Sequence, residues 1–198
     1  MAKRLFDLVG ACLALLLLAP LLLVVALAIR LDSPGPVFFR QQRVGRDGVL
    51  FFIHKFRTMQ ADAPLRGPQV TVGNDPRITR IGHALRHYRI DELPQFIDVL
   101  LGRMSLVGPR PEVPRFVAHY PAALKARVLA VRPGITDPAS LVHIDEAALL
   151  AAAADPEREY IDVVLPRKLA LQAEYAASAT LWSDLQVLGR TLGVLLSR

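Results

Sequence analysis

Only one cysteine, Cys12, is present, and it lies inside an apolar run, so the chain can form neither an intramolecular disulfide framework nor a Cys-based zinc site. Nothing in it calls for an oxidising compartment. A Gly-x-Gly-x-x-Gly after a strand, a P-loop and an internal repeat are also missing, which excludes nucleotide use through those folds. His83 and His87 have metal-ligand spacing, but no Glu follows His83, so the metalloprotease pattern is absent and both are read as non-ligands. The mark of a disordered chain, low hydrophobicity with high net charge, is absent as well, because 53% of the residues are hydrophobic. At 198 residues the chain has room for one ordinary domain with an attached segment and little room for two independent cores.

Charge is unevenly distributed. The formal net charge is +6, yet residues 30–132 hold 17 basic and eight acidic side chains, whereas residues 133–198 hold five and nine. The middle of the chain therefore seeks anions, and phosphate on nucleotides, lipid headgroups or nucleic acid would all suit it.

Leu8 to Ile29 is a run of 22 residues without a charge, about the ~20 that a membrane-spanning helix requires. It is too long for the ~7 to 15 residue core of a signal peptide. Basic residues flank both ends, with Lys3 and Arg4 before and Arg30, Arg40, Arg43 and Arg46 after, so both ends look cytoplasmic. Pro20 sits near the middle, removes one helical hydrogen bond and leaves arms of roughly 11 residues, each too short to cross at ~1.5 Å per residue. The sequence thus favours a re-entrant membrane helix-hairpin broken at Pro20, and a kinked crossing helix is the alternative.

Ser33-Pro34-Gly35-Pro36 closes that segment as a stiff turn. Val37–Val44 and Val49–Met59 flank Gly45-Arg46-Asp47-Gly48 and predict a β-hairpin. Residues 60–76 predict a functional loop, the next residues a helix ending near Tyr88, and Leu93, Phe96, Ile97 and Leu100 a second helix stopped by Gly102. Pro94 marks the start of that helix, which opens with Asp91 and Glu92. Later come Ala-rich and Asp155-Pro156 helix starts and, at residues 180–198, a helix that is either interfacial or part of the core. The fold class expected is α+β, with residues 1–32 embedded in the membrane and residues 33–198 forming a small mixed cytoplasmic catalytic domain of short strands and interfacial helices.

Adjacent acids at a helix start are usually solvated and dipole-favourable. Here Arg77, Arg80, Arg86 and Arg89 crowd the approach, and Asp91, Gln95 and Asp98 recur on one helix face. Carboxylates among arginines can hold Mg²⁺ or attack phosphorus while the cations neutralise phosphate oxygens; a surface ion-pair network is the bland alternative. Lys55 and Arg57 alternate at a strand end, as a phosphate clamp or a solvated face, and Arg110 is stiffened by Pro109 and Pro111.

In order along the chain, Lys3-Arg4-Leu5-Phe6-Asp7, Lys55-Phe56-Arg57-Thr58-Met59, Asp91-Glu92-Leu93-Pro94-Gln95, Met104 through Pro111, and Arg132-Pro133-Gly134-Ile135-Thr136 resemble the bacterial sugar transferases, the monotopic polyprenyl-phosphate phosphoglycosyl transferases. The resemblance implies the small catalytic-core type. It implies that Asp91 attacks the sugar-bearing phosphate of a UDP-sugar, releases UMP and passes the phosphosugar to a polyprenyl (undecaprenyl) phosphate, the first membrane step of exopolysaccharide or glycoconjugate assembly. By the same resemblance Glu92 assists, Mg²⁺ binds among Asp91, Glu92 and the phosphates, and Lys55, Arg57, Arg86 and Arg110 are the cationic positions. Pro109-Arg110-Pro111 corresponds to the nucleotide turn. Expected partners are the donor, the acceptor and membrane lipids at the cytoplasmic face of a bacterial inner membrane, with no nucleic acid; a homodimer stays open. The pattern departs after Thr136, where many relatives continue into a Gly-Trp or Gln-rich segment and this chain reads Asp137-Pro138-Ala139-Ser140. Two other classes compete: a non-catalytic membrane-tethered anion-binding module, and a nucleotide-sugar hydrolase that uses water as acceptor.

Overall fold

The computed structural model describes residues 1–63, 66–67, 75–142 and 146–197. Its first element is a single helix, α1 (Ala2–Asp32), 31 residues long and continuous through Pro20. The proline does not divide it into two helices. Loss of one backbone hydrogen bond is tolerated in a long apolar helix when neighbouring turns remain intact. Leu13, Leu16, Leu17, Leu23, Val24 and Leu27 are exposed along its length, and mean hydropathy over its most apolar stretch reaches 3.1, enough to enter a membrane by length and composition.

Both ends of α1 grip the rest of the chain. Near the start, Arg4 Nη1 donates to the Val99 carbonyl at 2.8 Å, and the buried Asp7 carboxylate accepts from Ser105 Oγ at 2.9 Å and from the Leu106 N–H at 3.1 Å. Near the end, Val25 and Ile29 pack with Phe56 and Leu85, and Asp32 accepts the Ile81 N–H at 3.2 Å.

The expected hairpin forms as β1 (Phe38–Val44) and β2 (Leu50–Phe56), antiparallel, with Phe38 opposite Phe56 and Val44 opposite Leu50. The loop expected at residues 60–76 lies in large part outside the described residues. Thr79 caps α2 (Arg80–His87) by accepting the Gly82 N–H, and a 3₁₀ turn (Ile90–Glu92) leads into α3 (Gln95–Leu100), which Gly102 ends at φ 79. Short parallel strands β3 (Ser105–Val107) and β4 (Gly134–Thr136) pair beside it, with α4 (Pro114–Val117) and α5 (Ala122–Val128) between them in sequence. At their edge the backbones of Gly108 and Gly134 approach so closely that a Cβ on Gly134 would lie 2.1 Å from the Gly108 nitrogen, which explains glycine at both positions.

The chain ends in α6 (Glu146–Ala152), α7 (Pro156–Glu159), a π-helical turn (Tyr160–Val164), α8 (Leu165–Ser178) and α9 (Leu181–Leu196). Asp155 caps α7 as its Asp-Pro signal predicts, and Pro166 sits in the first turn of α8, where it costs little. Core residues Val44, Val113, Phe116, Leu165, Leu169 and Ala173 join α8 to α4 and β1. Helix α9 answers to both readings of its sequence: Asp184 and Val187 are buried, whereas Trp182, Leu185 and Leu192 are exposed. The arrangement is α+β, with an apolar N-terminal helix and a mixed domain.

Candidate active site

Lys55 projects from the end of β2. Opposite it, Arg89 takes the left-handed conformation at φ 54, unusual for a residue with a Cβ, and this ends α2 and starts the 3₁₀ turn that carries Asp91 and Glu92. The two acids thus precede α3 by a turn instead of opening it, and they serve side chains rather than helix N–H groups. Arg110 comes from the turn after β3, between Pro109 and Pro111.

These four side chains meet. Lys55 Nζ lies 2.8 Å from Asp91 Oδ2 and 3.4 Å from Glu92 Oε1. Arg110 clamps Glu92 with both terminal nitrogens, Nη1 donating to Oε2 at 3.0 Å and Nη2 to Oε1. Asp91 and Glu92 are both buried. Burial would raise the Glu92 pKa, but Arg110, Lys55 and Arg89 outweigh it and hold the carboxyl well below the usual carboxylate range. Reciprocally, Glu92 raises the Arg110 pKa against the effect of burial. Asp91 Oδ1 makes no hydrogen bond among the described residues, so the acid at the centre of the cluster has one oxygen held and one free.

The remaining expected cations stand apart from this quartet. Arg86 Nε donates to Thr58 Oγ1 at 2.9 Å; burial lowers its pKa, and attraction to Asp91 opposes that, which places it within electrostatic reach of the carboxylates without touching them. Arg57 lies past the last residue of β2, so strand alternation no longer aligns it with Lys55. Its Nη2 donates to the Ser33 carbonyl at 2.8 Å and its Nη1 to the Pro34 carbonyl, tying the end of α1 to the domain.

Other contributors had little or no signal in the sequence. Arg43 Nη1 donates to the Pro111 carbonyl at 2.9 Å and faces a shallow pocket with Lys55, Glu92, Gln95 and Arg110. The polar stripe Asp91, Gln95, Asp98 singles out Asp98 but not its partner: His54, whose backbone N–H and Nδ1 meet the Asp98 carboxylate at 2.7 and 2.8 Å. That pair lashes β2 to α3 and so sets Lys55 against Asp91. A larger concavity, about 460 Å³, is bordered by Pro138, Leu141, Val187, Arg190 and Val194, and none of its described lining residues is an acid.

The sequence model of the bacterial sugar transferases matches residues 1–198. The chain belongs to that family. It is 39% identical over 197 residues to the UDP-N-acetylgalactosamine-undecaprenyl-phosphate N-acetylgalactosaminephosphotransferase of Aeromonas hydrophila, covering 98% of this chain and 44% of that protein. It is 40% identical over 199 residues to the UDP-glucose:undecaprenyl-phosphate glucose-1-phosphate transferase of Caulobacter vibrioides, covering 98% of this chain and 70% of that one. It is 56% identical over 109 residues to the exopolysaccharide production protein PSS of Rhizobium leguminosarum bv. phaseoli, 54% of either chain. Against the Aeromonas and Rhizobium proteins the chain thus spans about half the length of its relatives.

For Mg²⁺, which the resemblance to bacterial sugar transferases implies, the donor set is sparse. No group of three or more His, Cys, Asp or Glu side chains that could hold a metal occurs among the described residues. Glu92 is occupied by Arg110 and Lys55, which leaves the free Oδ1 of Asp91. One carboxylate oxygen completed by substrate phosphates and water suits Mg²⁺, which is commonly held by one or two carboxylates plus phosphate oxygens. The residues therefore fit a metal that arrives with a phosphorylated substrate.

Proposed function

We propose that the chain transfers a sugar 1-phosphate from a UDP-sugar to a polyprenyl phosphate, releasing UMP, through a covalent phosphosugar on Asp91. The observation that carries this reading is the state of Asp91: a buried carboxylate with one oxygen on Lys55 and the other without a hydrogen bond among the described residues, beside a Glu92 already neutralised by Arg110. The Aeromonas and Caulobacter relatives bear names of the same reaction type, with N-acetylgalactosamine and glucose respectively.

In the first step one carboxylate oxygen of Asp91 attacks the phosphorus that bears the sugar, which leaves the other for a cation. The new O–P bond forms as the bond to the UMP oxygen breaks, and UMP leaves with that electron pair. Lys55 and Arg110 stand where they can neutralise phosphate oxygens as charge redistributes. Glu92 keeps Arg110 oriented before the donor enters. In the second step an oxygen of the polyprenyl phosphate attacks the same phosphorus and the Asp91 carboxylate is released unchanged. Mg²⁺, when bound by Asp91 and donor phosphates, would supply further charge neutralisation.

The membrane part of the reading is that α1, although continuous through Pro20, bends there within the bilayer so that both its ends return to one side, with residues 1–32 embedded and residues 33–198 at the cytoplasmic face of the inner membrane. Its support is physical. Arg4 and Asp7 at one end, and Asp32 at the other, make polar contacts with the same domain, and a folded domain cannot lie on both sides of a membrane at once. A soluble phosphorylated donor and a lipid-borne acceptor then meet at headgroup level.

The test is UMP release by the full chain from UDP-glucose and UDP-N-acetylgalactosamine, with and without undecaprenyl phosphate. Sustained turnover should require the acceptor and should vanish in Asp91→Asn. Continuous release without acceptor would identify a hydrolase; no release from any UDP-sugar, by folded protein, would leave an anion-binding module.

A further inference from the structure

We infer that Asp137 and Gln172 are positioning residues for the Arg110 turn and thereby set the affinity for the phosphorylated donor; this rests on the reaction proposed above. Asp137 directly follows β4. It is fully buried, and Gln172 on α8 is 2% exposed. Asp137 Oδ2 accepts the backbone N–H of Arg110 at 3.2 Å and Gln172 Nε2 at 2.6 Å, and its Oδ1 accepts the Ser140 N–H at 2.7 Å. All three donors are neutral, so among the described residues this buried acid has no direct ion pair; it lies within electrostatic reach of Arg110, whose pKa it helps to raise after Glu92. A carboxylate desolvated in this way is costly unless its donors are well placed.

What it achieves is mechanical. Leu165, Leu169 and Ala173 seat α8 in the core with Val113 and Phe116. Gln172 carries that rigidity to Asp137, and Asp137 carries it to the backbone of Arg110. From the other side, Arg43 Nη1 holds the Pro111 carbonyl at 2.9 Å and the Val44 N–H donates to the Glu112 carbonyl at 2.9 Å. The backbone of the turn is thus fixed on both flanks while the Arg110 guanidinium, resting on Glu92, is free to exchange that carboxylate for a donor phosphate. Displacing such a group by about 1 Å is enough to degrade its contact with substrate.

The experiment measures single-turnover UMP release by the full chain, with whichever of UDP-glucose and UDP-N-acetylgalactosamine supports wild-type release. Two quantities are read: UMP released per chain at saturating donor, and the donor concentration at half-saturation. Asp137→Ala should raise the half-saturating concentration about tenfold, equivalent to ~1.4 kcal/mol, with the amplitude per chain retained. Gln172→Leu should shift it the same way by less. Asp137→Asn can keep an oxygen toward Arg110 and Gln172 at the expense of Ser140, and should recover most of the affinity. An unchanged half-saturating concentration with a reduced amplitude, the result of a merely structural role, overturns the inference, as does wild-type behaviour in both variants. If Asp137→Ala does not fold, Gln172→Leu and Asp137→Asn decide by the same two readings. A wild-type protein that releases no UMP overturns the underlying reaction and the inference with it, and is told apart because no variant is needed to see it.

Discussion

Replacing Arg110 by alanine strands Glu92. The carboxylate is 8% exposed, and the clamp it loses is bidentate. Removing one partner of a fully buried ion pair costs about 3–5 kcal/mol, whereas an exposed pair is worth about 0–1 kcal/mol. Arg110 retains 28% side-chain exposure and Lys55 still lies 3.4 Å from Glu92, so we expect a loss of about 2–3 kcal/mol. For a chain of this size that is a fall of roughly 5–10 °C in melting temperature. Glu92→Gln should cost less, about 1 kcal/mol, because the partly exposed guanidinium can hydrate. The double variant contains no orphaned charge and should lose about 1–2 kcal/mol less than the sum of the singles. The pH dependence has a definite sign. Glu92 titrates lower in the folded protein than in the unfolded chain, so the pair stabilises fully above the unfolded pKa near ~4.3 and loses this contribution as pH falls toward the folded value. The gap between wild type and Arg110→Ala should therefore narrow on going from pH 7 to acid. Thermal unfolding of the detergent-solubilised proteins at several pH values reads all of this. Additive losses in the double variant, or an Arg110→Ala melting point within experimental error of wild type, would refute the reasoning.

Two further outcomes follow from the anchoring of α1. Asp7→Ala leaves the Leu106 N–H without its buried acceptor, while the Ser105 hydroxyl keeps the Val107 carbonyl, and should cost about 1–3 kcal/mol in the same unfolding assay, with Asp7→Asn intermediate. For topology, single cysteines introduced by Ala2→Cys and by Pro36→Cys in a Cys12→Ala background should both resist a membrane-impermeant thiol reagent in intact cells and both react after permeabilisation; labelling of one end alone from outside would mean a crossing helix.

The quartet was legible in the sequence because Lys55, Asp91, Glu92 and Arg110 lie in motifs whose residue types suit phosphoryl chemistry. Their pairing was not, since Glu92 could have served as metal ligand or ion-pair partner, and only the fold shows Arg110 closing on it. Arg57 illustrates a limit of periodicity: alternation predicts a face shared with Lys55, but the strand ends at Phe56 and the Arg57 guanidinium goes to the Ser33 and Pro34 carbonyls. Helix α3 illustrates another. Of its apolar stripe Leu93, Phe96, Ile97 and Leu100, Leu100 is 38% exposed, whereas Gln95 and Asp98 on the polar face are buried. The interior it faces is polar, supplied by His54 and Lys55 from a strand some 40 positions away, and no local pattern encodes that. Arg43 and Asp137 were invisible for the same reason: each acts on the Arg110 turn from a distant part of the chain. By contrast the hairpin, the Asp155-Pro156 helix start and the Gly102 stop depend on residues adjacent in sequence, and these formed as expected.

The covalent step is the centre of the account, and the mass of the protein tests it most directly. Full chain mixed with Mg²⁺ and a UDP-sugar, without polyprenyl phosphate, should release about one UMP per active site and gain the mass of the corresponding phosphosugar, localised to the peptide containing Asp91. Adding undecaprenyl phosphate should then restore the original mass, and Asp91→Asn should show neither release nor gain. UMP formed only when both substrates are present, with no mass gain on the wild-type chain, or turnover retained by Asp91→Asn, would contradict it.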